Sequence, residues 1–262
     1  MERGRIVTNG AIVYGLSILG CLLSTCSVSA QSSEVSLLQT ALGKNCVVHS
    51  LNPDSTITVQ ITRDSEKAVT RLQSLPRQLR SEVHSVFLKS PFVEPRVAWG
   101  LESLEGLRFL HVSEGAWNSY ISEVVSKSDT IDSVFAEAAG LTADDLSAIC
   151  KAKSLKVLMI GDNPHVTPEL GKISSLKNLR QLSLSNLRIT TTDVAFLSEL
   201  RELRWLMLDG TDVEDGLVSV LVKCPQLKTV ALTRTKFSRN GADELARGLP
   251  GANISVEGSA LK

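Results

Sequence analysis

The histidines are the first residues of this 262-residue chain to consider for chemistry. Its four histidines, His49, His84, His111 and His165, are far apart in sequence. They lack the H-x-x-x-H and H-E-x-x-H spacings that place two zinc ligands on one face of a helix. The chain also has no G-x-S-x-G, P-loop or G-x-G-x-x-G motif. The sequence therefore predicts no metal site and no cofactor.

Carboxylates offer the other candidate chemistry. Glu137, Asp162, Asp209 and Glu257 lie at the same position, or its neighbour, just beyond a predicted strand. Paired acid catalysis needs two carboxyl groups about 5–9.5 Å apart, and Glu137 and Asp162 lie in adjacent repeat units that could bring them this close. A carboxylate beside a turn is more commonly solvated or bonded to the turn. We therefore predict that the protein is not an enzyme.

The elements that position these side chains follow from a regular repeat. Seven aliphatic residues recur at intervals of 24 residues, and the chain is apolar again three and five residues after each of them. These anchors are Val83, Leu107, Ile131, Leu155, Leu179, Leu203 and Leu227. Each unit thus opens as L-x-x-L-x-L, a pattern that indicates a short strand with two side chains facing a core.

This pattern resembles that of the leucine-rich repeat family, whose consensus continues to an asparagine or cysteine. In one unit, Leu155, Leu158 and Ile160 are followed by the consensus asparagine, Asn163. The segment from Thr211 to Leu227 is similar to the cysteine-containing variety found in exported bacterial proteins. The resemblance implies an α/β solenoid with a curved parallel β-sheet on its concave face and helices on its convex face. About seven regular repeats and a terminal strand would occupy residues 83–262.

Two further columns of the repeat indicate how it packs. The residues 18 positions after the anchors are all aliphatic, which predicts the inner face of a convex helix. Cys224 lies in a column of small or apolar residues 21 positions after the anchors and is predicted to be a buried filler. Cys150 is three repeats away, about 14 Å at ~4.8 Å per strand, too far for a disulfide. With Cys46 in the cap, three free thiols are expected.

Residues 31–82 are predicted to form an N-terminal cap. It would comprise a helix from Ser33 to Leu42, a hairpin of residues 46–48 and 57–61, and a crossover helix over residues 64–75. The second hairpin strand would be the first strand of the array. At the other end the chain stops after residue 262 without a recognisable cap, so that edge would fray or be covered by a partner.

Residues 1–30 resemble a secretory signal peptide, with Arg3 and Arg5 before a short apolar run and small residues at Val28-Ser29-Ala30. The alternatives are a lipid anchor on Cys21 and an uncleaved membrane anchor. No second segment is apolar enough to span a bilayer. Without residues 1–30 the chain has 26 basic and 27 acidic residues, a balance that favours neither nucleic acid nor an anionic membrane as partner. An exported protein, periplasmic or extracellular, is expected.

Apolar side chains occupy strand positions that should face outward from the concave sheet. They are Phe87, Phe109, His111, Phe135, Val157, Met159, Trp205 and Met207. Contiguous exposed apolar patches are uncommon on monomers, and aromatic residues and Met are enriched at interface centres. Two structural explanations compete: stacking between strands, and burial under a loop spanning residues 114–130. The leading hypothesis is a protein partner on the concave face; the alternatives are envelope carbohydrate or small-ligand binding, and a structural spacer.

Overall fold

The protein is built on one sheet whose strands follow each other in chain order. The computed structural model describes residues 33–43, 46–51, 56–61, 65–89, 100–115, 117–256 and 259–261. Within these ranges eleven strands form the order β1 to β11 without a crossover between non-consecutive strands. Strands β2 to β10 are parallel, and β1 and β11 are antiparallel to their neighbours at the two edges. The predicted α/β solenoid with a parallel sheet is therefore confirmed.

The strands are short, and those of the central repeats span three residues each. They are β1 (Cys46–Leu51), β2 (Thr56–Ile61), β3 (Val83–Lys89), β4 (Phe109–Ser113), β5 (Ser133–Phe135), β6 (Val157–Met159), β7 (Gln181–Ser183), β8 (Trp205–Met207), β9 (Thr229–Leu232), β10 (Asn253–Val256) and β11 (Ser259–Leu261).

The connecting segments are α-helical at both ends of the array and largely 3₁₀-helical in its middle. The α-helices of the described residues are α1 (Ser33–Leu42), α2 (Ser65–Ser74), α3 (Arg77–Ser81), α4 (Ser119–Lys127), α5 (Ala143–Ile149), α6 (Val218–Leu221) and α7 (Arg239–Gly248). The 3₁₀-helices are Thr167–Ser175, Ala195–Glu199 and Asp215–Leu217. Because 3₁₀ turns advance further per residue, these units cross the convex side with few helical turns.

The repeat columns form one continuous core between the sheet and the helices. All seven anchors are buried, as are the aliphatic residues 18 positions after them. A parallel strand cannot return directly to its neighbour, so each convex segment carries the chain back and covers the inward side chains. Each repeat therefore buries its apolar residues only with the help of its neighbours.

The predicted elements at the N-terminal end are present. Helix α1 begins at Ser33, the hairpin pairs β1 with β2, and α2 begins at Ser65. Leu38 and Leu42 of α1 are fully buried, and Arg71 Nη1 of α2 donates to the Leu42 carbonyl at 2.8 Å. Strand β2 then pairs with β3 in parallel, so the hairpin joins the array directly.

The C-terminal edge differs from the expectation of an uncapped strand. Strand β11 folds back and pairs with β10 in antiparallel fashion, with Ile254 opposite Leu261. The prediction was wrong here because residues 259–261 lack the repeat pattern and carry no apolar alternation from which a strand could be inferred. The edge of the sheet is thus occupied by the chain itself.

Strands β4 to β9 are each followed by a sharp turn at the rim of the sheet. The residue seven positions after each of the six anchors from Leu107 to Leu227 adopts the left-handed backbone conformation, with φ between 51° and 69°. These residues are Glu114, Ala138, Asp162, Asn186, Gly210 and Arg234. The amide of one such residue donates to the next repeat, as from Asp162 N to Ser185 O at 2.9 Å. The turn therefore extends the hydrogen-bond ladder beyond the strands.

The buried side chain of Asn163 secures one of these turns. Its Nδ2 donates to the carbonyls of Ala136, Ile160 and Gly161, and its Oδ1 accepts from the amides of Gly140 and Leu141 at 2.9 Å each. The asparagine that matched the repeat consensus thus joins two repeats. Thr211 and Thr235 hold the same position and donate to a strand-end carbonyl instead.

A buried polar chain joins the convex helices of two repeats. Trp117 Nε1 donates to Ser122 Oγ, which donates to Asp145 Oδ1, both at 2.7 Å. Asp145 also completes a capping box with Thr142 at the start of α5. The loop considered above as a cover for the concave face therefore contributes to the convex side, where it forms α4.

The three cysteines of the described residues are buried and free, as expected. Burial raises the thiol pKa of Cys150 to about 12 and those of Cys46 and Cys224 to about 11. Cys224 Sγ donates to the Leu197 carbonyl at 3.1 Å, consistent with a packing role. The predicted signal peptide, including Cys21, lies outside the described residues.

Candidate functional site

The register of the sheet brings the eight outward apolar residues into two rows. In one row, residues paired across successive strands are Phe87, His111, Phe135, Met159, Ser183 and Met207. The second row is formed in the same way by Phe109, Ser133, Val157, Gln181 and Trp205. The apolar residues are thus neighbours on β3 to β6, whereas Trp205 and Met207 lie separately on β8.

Four aromatic rings form a contiguous ladder, defined here as the aromatic ladder of Phe87, Phe109, His111 and Phe135. Ring centroids are 5.2 Å apart for Phe87 and Phe109, 4.8 Å for Phe109 and Phe135, and 5.3 Å for Phe87 and His111. Tilted pairs at such distances add roughly 0.5–1.5 kcal/mol beyond area burial. Stacking between strands, one of the structural explanations, therefore occurs.

The exposed part of this surface is smaller than the sequence indicated. Phe135 is 6% exposed and Met159 is 4% exposed, so both are buried. Phe87, Phe109, His111 and Val157 are half-buried. Alternation along a strand fixes the face on which a side chain lies but not its coverage by neighbours, so the expectation that Phe135 and Met159 are exposed was wrong.

Trp205 and Met207 make the second apolar spot, and both are half-buried. Gln181 and Ser183 on β7 separate this spot from the aromatic ladder. Ser183 is 0% exposed, and its small side chain lies between Met159 and Met207 in the same row. A polar, recessed position therefore divides the apolar part of the concave face.

Glu137 reaches across one whole repeat on this face. Its Oε1 accepts a hydrogen bond from Ser183 Oγ at 3.0 Å, two strands away. The intervening residue is Gly161, and a Cβ there would lie 3.4 Å from Glu137 Oε1 and 2.8 Å from the Ser185 carbonyl. Desolvation, with a smaller contribution from the charge of Asp162, raises the Glu137 pKa despite the Ser183 hydrogen bond. The predicted proximity of Glu137 and Asp162 thus has an electrostatic consequence.

Asp209 is a buried carboxylate at the rim, 1% exposed. Its Oδ1 accepts hydrogen bonds from the amide and the hydroxyl of Thr233, the amide at 2.8 Å. Its Oδ2 has no hydrogen-bond partner among the described residues. The Thr233 bonds tie β8 to β9, which assigns Asp209 a role in holding the rim.

His111 is the ionisable member of the aromatic ladder. Burial lowers its pKa, and the nearby charge of Lys89 lowers it further. Its Nδ1 is buried and makes no hydrogen bond in the described part of the chain. The neutral imidazole therefore behaves as a fourth ring of the ladder.

Sequence reasoning missed a feature at the opposite edge, where the strands begin. Asp132 Oδ2 accepts from Arg108 Nη2 at 2.7 Å and from Lys156 Nζ at 3.2 Å. Partial burial acts to raise the Asp132 pKa, but the hydrogen bonds from these cations and from the Ser133 hydroxyl outweigh it and lower the pKa. An open groove of about 500 Å³ lies here, with His84 and Asn178 also in its lining. The signal was available, because these residues recur every 24 positions.

Among the described residues, no cluster of three or more His, Cys, Asp or Glu side chains could hold a metal ion. No helix among those residues is both long and apolar enough to cross a bilayer.

The parallel ladder, the buried anchors and the asparagine turn define a leucine-rich repeat fold. Comparison with solved structures agrees: internalin C2 of Listeria monocytogenes is similar over 86% of this chain and 92% of its own, with a TM-score of 0.54 and 16% identity. A leucine-rich repeat protein of Leptospira interrogans matches 72% of this chain and 56% of its own, with a TM-score of 0.47 and 17% identity. No protein-family model and no curated protein sequence matches the chain.

Proposed function

We propose that this is a non-enzymatic, exported leucine-rich repeat protein that binds another protein through its concave face. The observation that carries the proposal is the half-buried aromatic surface of Phe87, Phe109 and His111, with Trp205 and Met207 as a second contact region. Because these large rings are partly exposed, their apolar surface can contact a partner without the rings moving out of the core.

The buried residues of the same face have a supporting role in this proposal. Phe135 packs 4.8 Å from Phe109 and 6.2 Å from His111, measured between ring centroids. Such contacts limit the rotamers of the half-buried rings before a partner arrives, and a preorganised surface loses less entropy on binding. Curved solenoids also present extended concave surfaces that suit a protein ligand.

Matched alanine variants test the concave face. We expect Phe109→Ala and Trp205→Ala to abolish co-purification of a specific partner from the native cell envelope. Tyr120→Ala is the control, because Tyr120 is an exposed aromatic residue on the convex helix α4. Thermal unfolding of all three variants, followed by circular dichroism, separates loss of binding from loss of folding.

Two outcomes would contradict the proposal. One is a partner that is retained by both concave variants. The other is equal loss in Tyr120→Ala, which would place the contact on the convex side. A Phe135→Ala variant is unsuitable for this comparison, because truncating a buried Phe typically costs about 3–5 kcal/mol of stability.

Export is tested by the N-terminus of the protein recovered from its native cells. Cleavage after Ala30 would leave a chain that begins at Gln31, and mass spectrometry of the intact protein would show it. A chain beginning at an acylated Cys21 would support the lipid-anchored alternative. Recovery from the cytoplasm of a protein that retains residues 1–30 would contradict export.

A further inference from the structure

A row of basic residues lies along the edge of the sheet where the strands begin. Arg108, Lys156, Arg180, Arg204 and Lys228 each follow an anchor directly, with Asp132 as the one acidic member between the first two. The backbone ladder runs through the row, for example from Arg180 N to Lys156 O at 2.7 Å and from Lys228 N to Arg204 O at 2.7 Å. These residues are therefore true neighbours, about 4.8 Å apart from strand to strand.

The first half of the row is electrically compensated. Asp132 accepts hydrogen bonds from Arg108 and Lys156, one on each side of it. The second half, Arg180, Arg204 and Lys228, contains no acid, and these three side chains are exposed. In the described part of the chain they have no ion pair or side-chain hydrogen bond. These positions lie one residue before β7, β8 and β9, so the three like charges are neighbours that repel one another unless an anion neutralises them.

Further basic residues in the turns at this edge add to its positive electrostatic potential. The turns that enter strands β6 to β9 carry nine basic and two acidic residues, so this part of the edge is strongly positive although the whole chain has no net charge. The contributing segments are residues 151–156, 175–180, 199–204 and 223–228. Their charges lie within a few Debye lengths of one another at physiological salt.

We propose that this strand-entry edge binds a linear acidic polysaccharide. Arg180, Arg204 and Lys228 would contact successive carboxylate or sulfate groups, with Lys156 extending the row to about 14 Å over three strand spacings. The guanidinium groups suit paired oxygens, which they hold in bidentate fashion. The site is separate from the concave face and does not depend on the function proposed above.

The polar residues beside the row favour a hydroxyl-rich polymer over a lipid surface or a polyphosphate. Each of the three cations in the second half of the row is preceded, two positions earlier in sequence, by an exposed polar residue: Asn178, Glu202 or Gln226. Asn178 Nδ2 donates to the Lys153 carbonyl, which leaves its Oδ1 free to accept from a sugar hydroxyl. The Glu202 carboxylate accepts hydrogen bonds from hydroxyl groups, which a sugar polymer supplies and a fully ionised phosphate polymer lacks.

Binding of polygalacturonate to the purified protein tests the proposal. We expect saturable binding at low ionic strength that weakens as salt shortens the Debye length from about 30 Å to about 3 Å. The Arg180→Gln/Arg204→Gln/Lys228→Gln variant should lose about tenfold or more in affinity. The control Arg234→Gln/Lys236→Gln/Arg239→Gln removes the same charge from the strand-exit edge and should stay within about twofold of the unchanged protein. Dextran, which is neutral, should not bind.

Equal losses in the two triple variants would overturn the proposal, since net charge rather than this edge would then govern binding. Absence of polygalacturonate binding at low salt would also overturn it. So would tighter binding of polyphosphate, or of vesicles containing anionic phospholipid. Unfolding curves of both variants confirm that each remains folded during the assay.

Discussion

The side chain of Asn163 shows how a single residue joins two repeats. Five backbone groups depend on its amide, and the residue is 1% exposed, so water cannot replace it. A buried amide or carbonyl that loses its partner costs about 1–3 kcal/mol. The asparagine of the repeat pattern therefore stabilises the turn through its hydrogen bonds rather than through its volume.

Replacing this residue tests that conclusion. We expect Asn163→Ala to lower the free energy of unfolding by roughly 3 kcal/mol, measured by urea denaturation, because several backbone groups lose their partner at once. Asn178→Ala is the matched control: Asn178 is exposed and its one described hydrogen bond is with Lys153 O, so a change within about 0.5 kcal/mol is expected. Similar losses in the two variants would contradict the assignment.

His111 gives the aromatic ladder a dependence on pH. Its folded-state pKa is lowered by burial and by Lys89, so the unfolded chain takes up the proton more readily than the folded protein. The contribution of His111 to stability is therefore present above the ordinary histidine pKa of about 6.5 and is lost as the pH falls below it.

A variant without the imidazole isolates this effect. We expect the stability of His111→Leu, relative to the unchanged protein, to rise when the pH is lowered from about 7.5 to about 5.5, a range that includes the ordinary histidine pKa. Urea denaturation of both proteins at the two pH values measures the difference. A difference that is independent of pH would show that His111 titrates alike in the folded and unfolded chains.

The rim turns repeat one backbone conformation with different residues. Six residues in one column share a left-handed backbone conformation, but Gly210 is the one glycine among them. The other five residues adopt a conformation that costs an L-residue roughly 1–2 kcal/mol. The turn requires it, because the chain must change direction there from the strand to the convex side. The sequence pattern therefore could not reveal these positions.

Ala138 allows this cost to be measured. We expect Ala138→Gly, at φ 51°, to raise the free energy of unfolding by about 0.5 kcal/mol, since relief of the left-handed strain exceeds the added flexibility of the unfolded chain. Ala195→Gly in a 3₁₀-helix is the control and should lower it by roughly 0.5–1 kcal/mol. Denaturation curves with the same sign for both variants would contradict the argument.

The whole molecule is a one-dimensional stack, in which each repeat packs against its two neighbours. Helix α1 and strand β1 close one end, and β11 occupies the other edge of the sheet. In such an array a local defect loosens nearby repeats before distant ones, because the stabilising contacts are local along the stack.

A substitution in the N-terminal helix tests this behaviour. We expect Leu42→Asp, which places a charge at a fully buried position, to increase amide hydrogen exchange in β1 to β3 far more than in β8 to β10. Leu37→Asp is the control in the same helix, because Leu37 is 57% exposed, and it should leave exchange nearly unchanged. Uniform acceleration along the chain would mean that the array unfolds as a single cooperative unit.

Much of the fold was predictable because its signals are local and periodic. The 24-residue interval predicted the strands, their inward residues and the burial of Cys224, because burial in a repeat array depends on the position of a residue within its repeat. The candidate site was predicted less well. The face of each apolar residue was right, whereas Phe135 and Met159 are covered by their surroundings, which periodicity does not encode.

The repeat, the order of the strands and the residues that fill the core follow from the 24-residue pattern, because apolar side chains at a fixed spacing have one common way to be buried. Two other features depend on how the repeats stack. Glu137 reaches Ser183 across an intervening repeat, and β11 folds back onto β10. Each depends on distances between side chains remote in sequence, which only the stacked repeats define.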